Sequence, residues 1–91
     1  MTTPASPDGA PLRVLVLEDV LTDAELEVRE LRRAGIAVEW TRVETETAFR
    51  EALVSFDPGI VLADFSLPGW SGMAALAVVR SERPDLPFIV V

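Results

Sequence analysis

The chain alternates between short, continuous apolar runs and longer segments with the apolar spacing of helices. The runs at residues 13–17, 60–63 and 88–91 are rich in β-branched residues and contain almost no polar ones. A strand with one solvated face alternates between apolar and polar residues, whereas these runs are typical of strands buried on both faces. Burial on both faces requires helices above and below the strands, which restricts the chain to a layered α/β fold.

Residues 36–43 also predict a strand, but one with a different environment. Apolar Ile36, Val38 and Trp40 alternate there with small or polar residues. Alternation indicates one solvated face, so we expect this strand at an edge of the sheet.

The first helix is predicted over residues 23–34. Thr22 and Glu25 have the spacing of a capping box, with Leu21 and Leu26 placed as a hydrophobic staple, and a glycine at the far end supplies the stop. The helix carries one apolar stripe. Its charged residues are expected to face water: Glu27, Arg29, Glu30 and Arg33.

Two more helices follow. Thr45 is placed to cap the second, which should end near residues 57–58, and the third is predicted around residues 72–83, after a loop at residues 65–71. Strands alternating with helices at this spacing predict parallel strands joined by right-handed crossovers. We therefore predict an α/β fold, a flavodoxin-like doubly wound parallel sheet with strand order 2-1-3-4.

The ends of the chain differ from its middle. Residues 1–11 contain three prolines among small residues and are interpreted as a disordered arm, followed by one domain over residues 12–91. The last run would expose its outer edge as the end of the sheet, so we expect a final strand and helices, absent here, to follow in the natural protein. We also expect possible homo-oligomers through this fourth strand.

Composition narrows the chemistry. The net charge of -7 disfavours direct nucleic-acid binding. Cysteine, histidine and lysine are all absent, which leaves carboxylates, hydroxyls and backbone groups. Oxygen ligands of this kind suit hard cations such as Mg²⁺. Residues 1–11 have neither the basic start nor the apolar stretch of a signal peptide. The longest apolar run, residues 73–79, is too short to cross a bilayer, so we expect a cytoplasmic protein without membrane contact.

Acidic residues follow two of the buried strands. Glu18 and Asp19 come after the first, and Asp64 comes directly after the third. Strands 1 and 3 are neighbours in the predicted order, about 4.8 Å apart, so the three carboxylates should converge at one end of the sheet. A divalent cation would relieve their repulsion. Asp64 is also a candidate covalent nucleophile toward phosphorus.

Residues 14–19 (VLVLED) and 60–72 (IVLADFSLPGWSG) together resemble response-regulator receiver domains of two-component signalling. The resemblance extends over residues 12–91. It implies a phosphoacceptor signalling domain rather than an enzyme, in which Asp64 accepts a phosphoryl group from a sensor histidine kinase in a Mg²⁺-dependent reaction.

The resemblance also implies a ligand set. Asp19 and Asp64 would bind Mg²⁺ directly, Glu18 would act through water, and the backbone carbonyl of Ser66 would supply another ligand. Such receivers also have a Ser or Thr after the fourth strand and a Lys after the fifth. This chain ends before the first and contains no lysine, so we expect an incomplete phosphate site and slow or absent phosphorylation.

Other interpretations remain open. Glu18 and Asp19 would also favour the positive N-terminus of the first helix, and Asp64 could cap the next turn. A receiver-like scaffold that binds partners without being phosphorylated is the main alternative function. An aspartyl-phosphate phosphatase of the haloacid-dehalogenase type would need a second Asp at the position of Ser66, and a dinucleotide binder would need a glycine-rich loop after the first strand. Trp40 is expected to pack in the core, and Trp70 is expected to pack on the third helix.

Overall fold

The fold is a four-stranded parallel sheet covered by helices on both faces. The structure, a computed structural model, describes residues 10–64 and 69–91. The strand order is β2-β1-β3-β4, and all three strand pairs are parallel. The elements are β1 (Leu12–Leu17), α1 (Leu21–Arg33), β2 (Val38–Val43), α2 (Glu46–Ser55), β3 (Ile60–Ala63), α3 (Gly72–Glu82) and β4 (Phe88–Val90). The predicted fold class and strand order are confirmed.

β1 is the central strand and separates two apolar clusters. Leu15 and Leu17 belong to the cluster that packs under α2 and α3, whereas Val14 and Val16 belong to the cluster that packs under α1. All four side chains have 0% exposure. Successive side chains of a strand point to opposite faces, so a run without polar residues is buried on both sides. This explains the continuous apolar pattern of the first strand.

The two edge strands differ in how much they are covered. β2 pairs with β1 alone among the described strands, as its alternating pattern predicts. At the other edge, β4 leaves Ile89 47% and Val90 41% exposed. Apolar side chains at an unpaired strand edge are prone to association with another strand.

The start of α1 differs from the prediction. The helix begins at Leu21, and its N-cap is Val20, with no side-chain cap. The capping box with Thr22 is therefore wrong, because Thr22 already lies inside the helix. The staple is wrong for the same reason, and Leu21 and Leu26 are both about half exposed. The amide of the N-cap residue Val20 donates to Glu18 Oε2 at 3.1 Å, so an acidic side chain from the preceding loop holds the residue just before the helix.

The other predicted helix ends are confirmed. Thr45 Oγ1 accepts a hydrogen bond from the amide of Ala48 at 3.2 Å, which satisfies one of the free amides at the start of α2. Gly35, just after α1, has a φ of 90°, in the left-handed region where glycine pays no steric penalty. Ser71 caps α3 in the same way as Thr45 caps α2. None of the helices in the described ranges is long and apolar enough to cross a membrane.

Phe49 links α2 to the loop before α3. Its side chain has 0% exposure, and its ring lies 5.3 Å from that of Trp70 at an interplanar angle of 60°. Edge-to-face pairs of this kind contribute beyond their buried area. Trp70 is thus half-buried. It packs, as expected, on the apolar cluster that includes residues of α3, and it also contacts Phe49 of α2.

We predict that Phe49→Leu lowers the free energy of unfolding by about 1 kcal/mol, because the replacement is apolar but loses the ring contact. Urea unfolding followed by tryptophan fluorescence measures the effect, and the environment of Trp70 should change as well. Val54→Ala on the same helix is the matched control, since Val54 is 80% exposed. Equal midpoints for the two variants would contradict the packing described for Phe49.

Candidate phosphoacceptor and cation site

The ladder of hydrogen bonds in the sheet continues one residue past the strands and fixes the backbone of two acids. The amide of Asp64 donates to the carbonyl of Leu17 at 2.9 Å, and the amide of Glu18 donates to the carbonyl of Val43 at 3.0 Å. Because parallel strands present their carboxyl ends at the same edge, Glu18 and Asp64 leave the sheet side by side. The predicted convergence of acids therefore follows from strand register.

Glu18, Asp19 and Asp64 each place one carboxylate oxygen within 4.8 Å of the other two. Ligands on opposite sides of an octahedral Mg²⁺ are roughly 4.2 Å apart, twice the metal–oxygen distance. The three oxygens are thus close to the spacing that one cation demands. Their hard, anionic character also suits Mg²⁺, so the described part of the predicted ligand set fits this ion.

The three carboxylates have different surroundings. Glu18 is 4% exposed, Asp64 is half-buried and Asp19 is exposed. Burial raises the pKa of Glu18 to about 7; the amide of Val20 opposes this rise, while the charge of Asp64 and a hydrogen bond with Asp19 add to it. The site is therefore electrostatically unfavourable for three ionised groups, and a cation would relieve it.

Arg42 holds the outer side of the loop between β1 and α1. Its guanidinium donates to the backbone carbonyl of Glu18 at 3.1 Å and pairs with Glu44 at 2.7 Å. The guanidinium of Arg42 thus fixes the backbone of Glu18, while its positive charge is paired with the carboxylate of Glu44.

A cavity of about 320 Å³ opens beside the acids, and its walls include residues that the sequence did not identify. Asp23 and Glu27, one turn apart on α1, line it with Glu18 and Asp64. The prediction that Glu27 faces water is wrong: the residue is half-buried, and its Oε1 is buried without a hydrogen-bond partner among the described atoms. The available signal was the Asp23/Glu27 spacing of four, which places both acids on the same face.

Ser66 and its predicted carbonyl ligand lie outside the described residues, as does Pro68. The structure thus brings together Glu18, Asp19 and Asp64 and leaves the fourth predicted ligand a prediction. The alternative reading of Glu18 as a helix N-terminal acid is partly correct, because its carboxylate accepts a hydrogen bond from the amide of Val20. The same side chain serves the helix start and the acid cluster.

Known proteins resemble this chain in sequence and in fold. A receiver protein of a response regulator from Pseudomonas putida superposes with a TM-score of 0.73 and 26% identity, over 90% of this chain and 68% of that one. The probable transcriptional regulatory protein TcrX of Mycobacterium tuberculosis is 34% identical over 83 residues. The chain is similar in sequence to response regulators, and its fold matches that of a response-regulator receiver protein. The DNA-binding transcriptional regulator NtrC of Escherichia coli is 35% identical over 63 residues, 69% of this chain.

The chain covers only part of the length of those relatives. It spans 13% of the length of NtrC and 35% of the length of TcrX. No family model matches the sequence. The likeness to response-regulator receivers therefore rests on the relatives and on the fold.

We predict that Glu18→Gln stabilises the receiver domain at alkaline pH when no metal is present. The pKa of Glu18 is about 7 in the folded chain against 4.5 for a free carboxyl. A raised folded pKa gives stability that is complete below pH 4.5 and is lost as the pH rises through 7. Glutamine stays neutral, so the variant should keep on the order of 2 kcal/mol that the parent loses by about pH 8.

Urea unfolding in a chelator, repeated across this pH range, measures the difference. Glu51→Gln, an exposed position on α2, is the control for removal of one negative charge. A difference between parent and Glu18→Gln that does not grow with pH would contradict the electrostatic account of the site.

Proposed function

We propose that this domain accepts a phosphoryl group on Asp64 from a phosphohistidine of a sensor histidine kinase, in a Mg²⁺-dependent reaction. The observation that carries the proposal is the position of Asp64: it follows buried β3 directly, and one of its carboxylate oxygens lies within 4.8 Å of oxygens of Glu18 and Asp19. The receiver fold supports the same function. No other carboxylate of the described chain combines half-burial at a strand end with two acidic neighbours.

In the proposed transfer, a carboxylate oxygen of Asp64 attacks phosphorus. The O–P bond of an acyl phosphate forms while the N–P bond of phosphohistidine breaks, and the imidazole leaves with its electron pair and takes up a proton. The main chain of Asp64 is fixed by its bond to Leu17, so the nucleophile is oriented before the donor arrives. A bound Mg²⁺ would neutralise charge on the transferring phosphoryl group.

The charges of the site support cation dependence. Glu18, Asp19 and Asp64 would repel an anionic phosphodonor, and the cavity beside them adds two more acids, Asp23 and Glu27. The closest described cation, Arg42, contacts the backbone of Glu18 rather than the carboxylates. Glu18 and Asp19 therefore act as cation ligands, Asp19 directly and Glu18 through water, with the carbonyl of Ser66 as a further ligand in this proposal.

The proposal includes a cytoplasmic location and no direct contact of this acidic domain with DNA or membrane. The histidine kinase is its partner in signalling. The domain itself is a phosphoacceptor rather than an enzyme with a turnover of free substrate.

We predict that prolonged incubation with acetyl phosphate and Mg²⁺ slowly adds one phosphoryl group per chain, detected by intact-protein mass spectrometry; the transfer should be slow because the chain contains no lysine to pair with the phosphoryl group. Asp64→Asn should abolish the adduct, because an amide oxygen is a far poorer nucleophile than a carboxylate. Asp85→Asn, at an exposed position between α3 and β4, is the matched control and should retain it. The adduct should also disappear when Mg²⁺ is chelated.

An adduct that survives in Asp64→Asn would refute the assignment of the phosphoacceptor. Catalytic release of phosphate from excess donor would indicate a phosphatase instead. Mg²⁺ binding without any adduct in the parent would favour the scaffold that binds partners without being phosphorylated.

The proposal also includes self-association through β4, because the exposed Ile89 and Val90 lie at an unpaired edge of the described sheet. We predict that Ile89→Lys reduces the mean mass at high concentration in sedimentation equilibrium, since a charged edge opposes strand pairing. Val54→Lys adds the same charge on exposed α2 and should leave the mass unchanged. A parent that stays monomeric at every concentration would remove this part of the proposal.

A further inference from the structure

Glu27 is the one described side chain with a buried polar atom that lacks a hydrogen-bond partner. It lies in the middle of α1, and its carboxylate lines the cavity that also contains Glu18 and Asp64. Buried polar atoms of proteins are almost always paired, and an unpaired carboxylate oxygen is costly. Because Glu27 is half-buried and lines an open cavity, a partner for this oxygen would come from whatever occupies the cavity.

The electrostatic surroundings of Glu27 are unfavourable in the same way. Burial raises the pKa of Glu27, and the charges of Asp23 and Asp64 raise it further. Asp23 lies four residues earlier on α1, a spacing at which like charges weaken a helix. Glu27 also adds to the repulsion felt by Glu18. A group that binds in this cavity and carries positive charge and hydrogen-bond donors would relieve all of these interactions.

A hydrated divalent cation has both properties. Mg²⁺ sheds its water reluctantly and usually keeps several water molecules in a protein site. The direct ligands of the proposed site come from the ends of β1 and β3, whereas Glu27 comes from α1 and forms another wall of the cavity. A carboxylate in that position is suited to accept hydrogen bonds from water bound to the ion rather than to bind the ion directly.

We propose that Glu27 is an outer-sphere residue of the cation site, which accepts hydrogen bonds from cation-bound water and favours Mg²⁺ over Ca²⁺. The inference rests on the proposed cation site at Glu18, Asp19 and Asp64. It assigns to Glu27 a positioning role, because outer-sphere partners orient what the direct ligands hold and contribute strongly to metal affinity. Preference for Mg²⁺ follows because Ca²⁺ replaces more of its water with protein oxygens.

The proposal predicts effects of opposite sign in one variant. Glu27→Gln should stabilise the metal-free domain, because it removes a half-buried charge from an acidic cavity. The same change should weaken Mg²⁺ binding by about tenfold, in the range found for lost outer-sphere partners. A residue needed only for packing would instead lose stability without a selective effect on the ion.

Calorimetric titration of the metal-free domain with MgCl₂ and separately with CaCl₂, at about pH 8 so that the carboxylates are ionised, measures affinity and selectivity. Urea unfolding in a chelator measures metal-free stability. Glu25→Gln is the matched control, since Glu25 is an exposed acid on the same helix outside the acid cavity. The expected result is a larger loss of affinity for Mg²⁺ than for Ca²⁺ in Glu27→Gln, and no loss in the control.

Asp64→Asn separates failure of this inference from failure of the proposed function. Mg²⁺ binding that Asp64→Asn abolishes and Glu27→Gln leaves unchanged overturns the role of Glu27 and keeps the cation site. Absence of Mg²⁺ binding in the folded parent overturns both. Destabilisation of the metal-free domain by Glu27→Gln also overturns the inference, because it would show that the protein already satisfies this carboxylate.

Discussion

The parallel pairing of β1 with β3 is the constraint on which the rest of the structure depends. It aligns Leu17 with Ala63, so the next residue of each strand, Glu18 and Asp64, leaves the sheet at the same edge. The pairing persists because both strands are buried between two helical layers. A shift of one residue would turn the side chains of β1 to the wrong faces, and the two apolar clusters therefore also hold the site in register.

The same arrangement places charge where the fold does not favour it. Glu18 is almost fully buried. Its carboxylate accepts a hydrogen bond from the amide of Val20 and lies beside Asp64. The charge of Glu18 is therefore only partly stabilised. Its carboxylate accepts a hydrogen bond from the residue before α1, while the neighbouring carboxylates repel it. Sites that bind ions commonly combine such repulsion in the empty protein with relief on binding. The cost is borne by a core that contains no other buried charged residue within the described ranges.

The likeness to response-regulator receivers and the geometry of this chain support the same reading at different levels. The relatives and the superposed receiver show the likeness to response regulators. The convergence of three carboxylates gives the site a geometry that one cation fits. The α1 wall, with Asp23 and Glu27 lining the cavity, adds two more acids. It makes the cavity more acidic than the three cluster residues alone and increases its demand for a cation.

The sequence by itself determined the sheet, because apolar runs buried on both faces can be satisfied only between two helical layers, and it determined the acids at the strand ends, because each directly follows such a run. The sequence also predicted Thr45 as a helix cap and Gly35 as a helix stop, since capping and left-handed turns depend on a few adjacent residues. Only the tertiary structure decided the start of α1, which begins at Leu21 and leaves Thr22 inside the helix, while Glu18 accepts a hydrogen bond from the amide of Val20. It also decided the partial burial of Glu27, which helical periodicity places on a polar face. Glu27 lines the cavity in a helix that packs through Ala24 and Val28 on Val14 and Val16 of β1, and such packing is set by contacts distant in sequence.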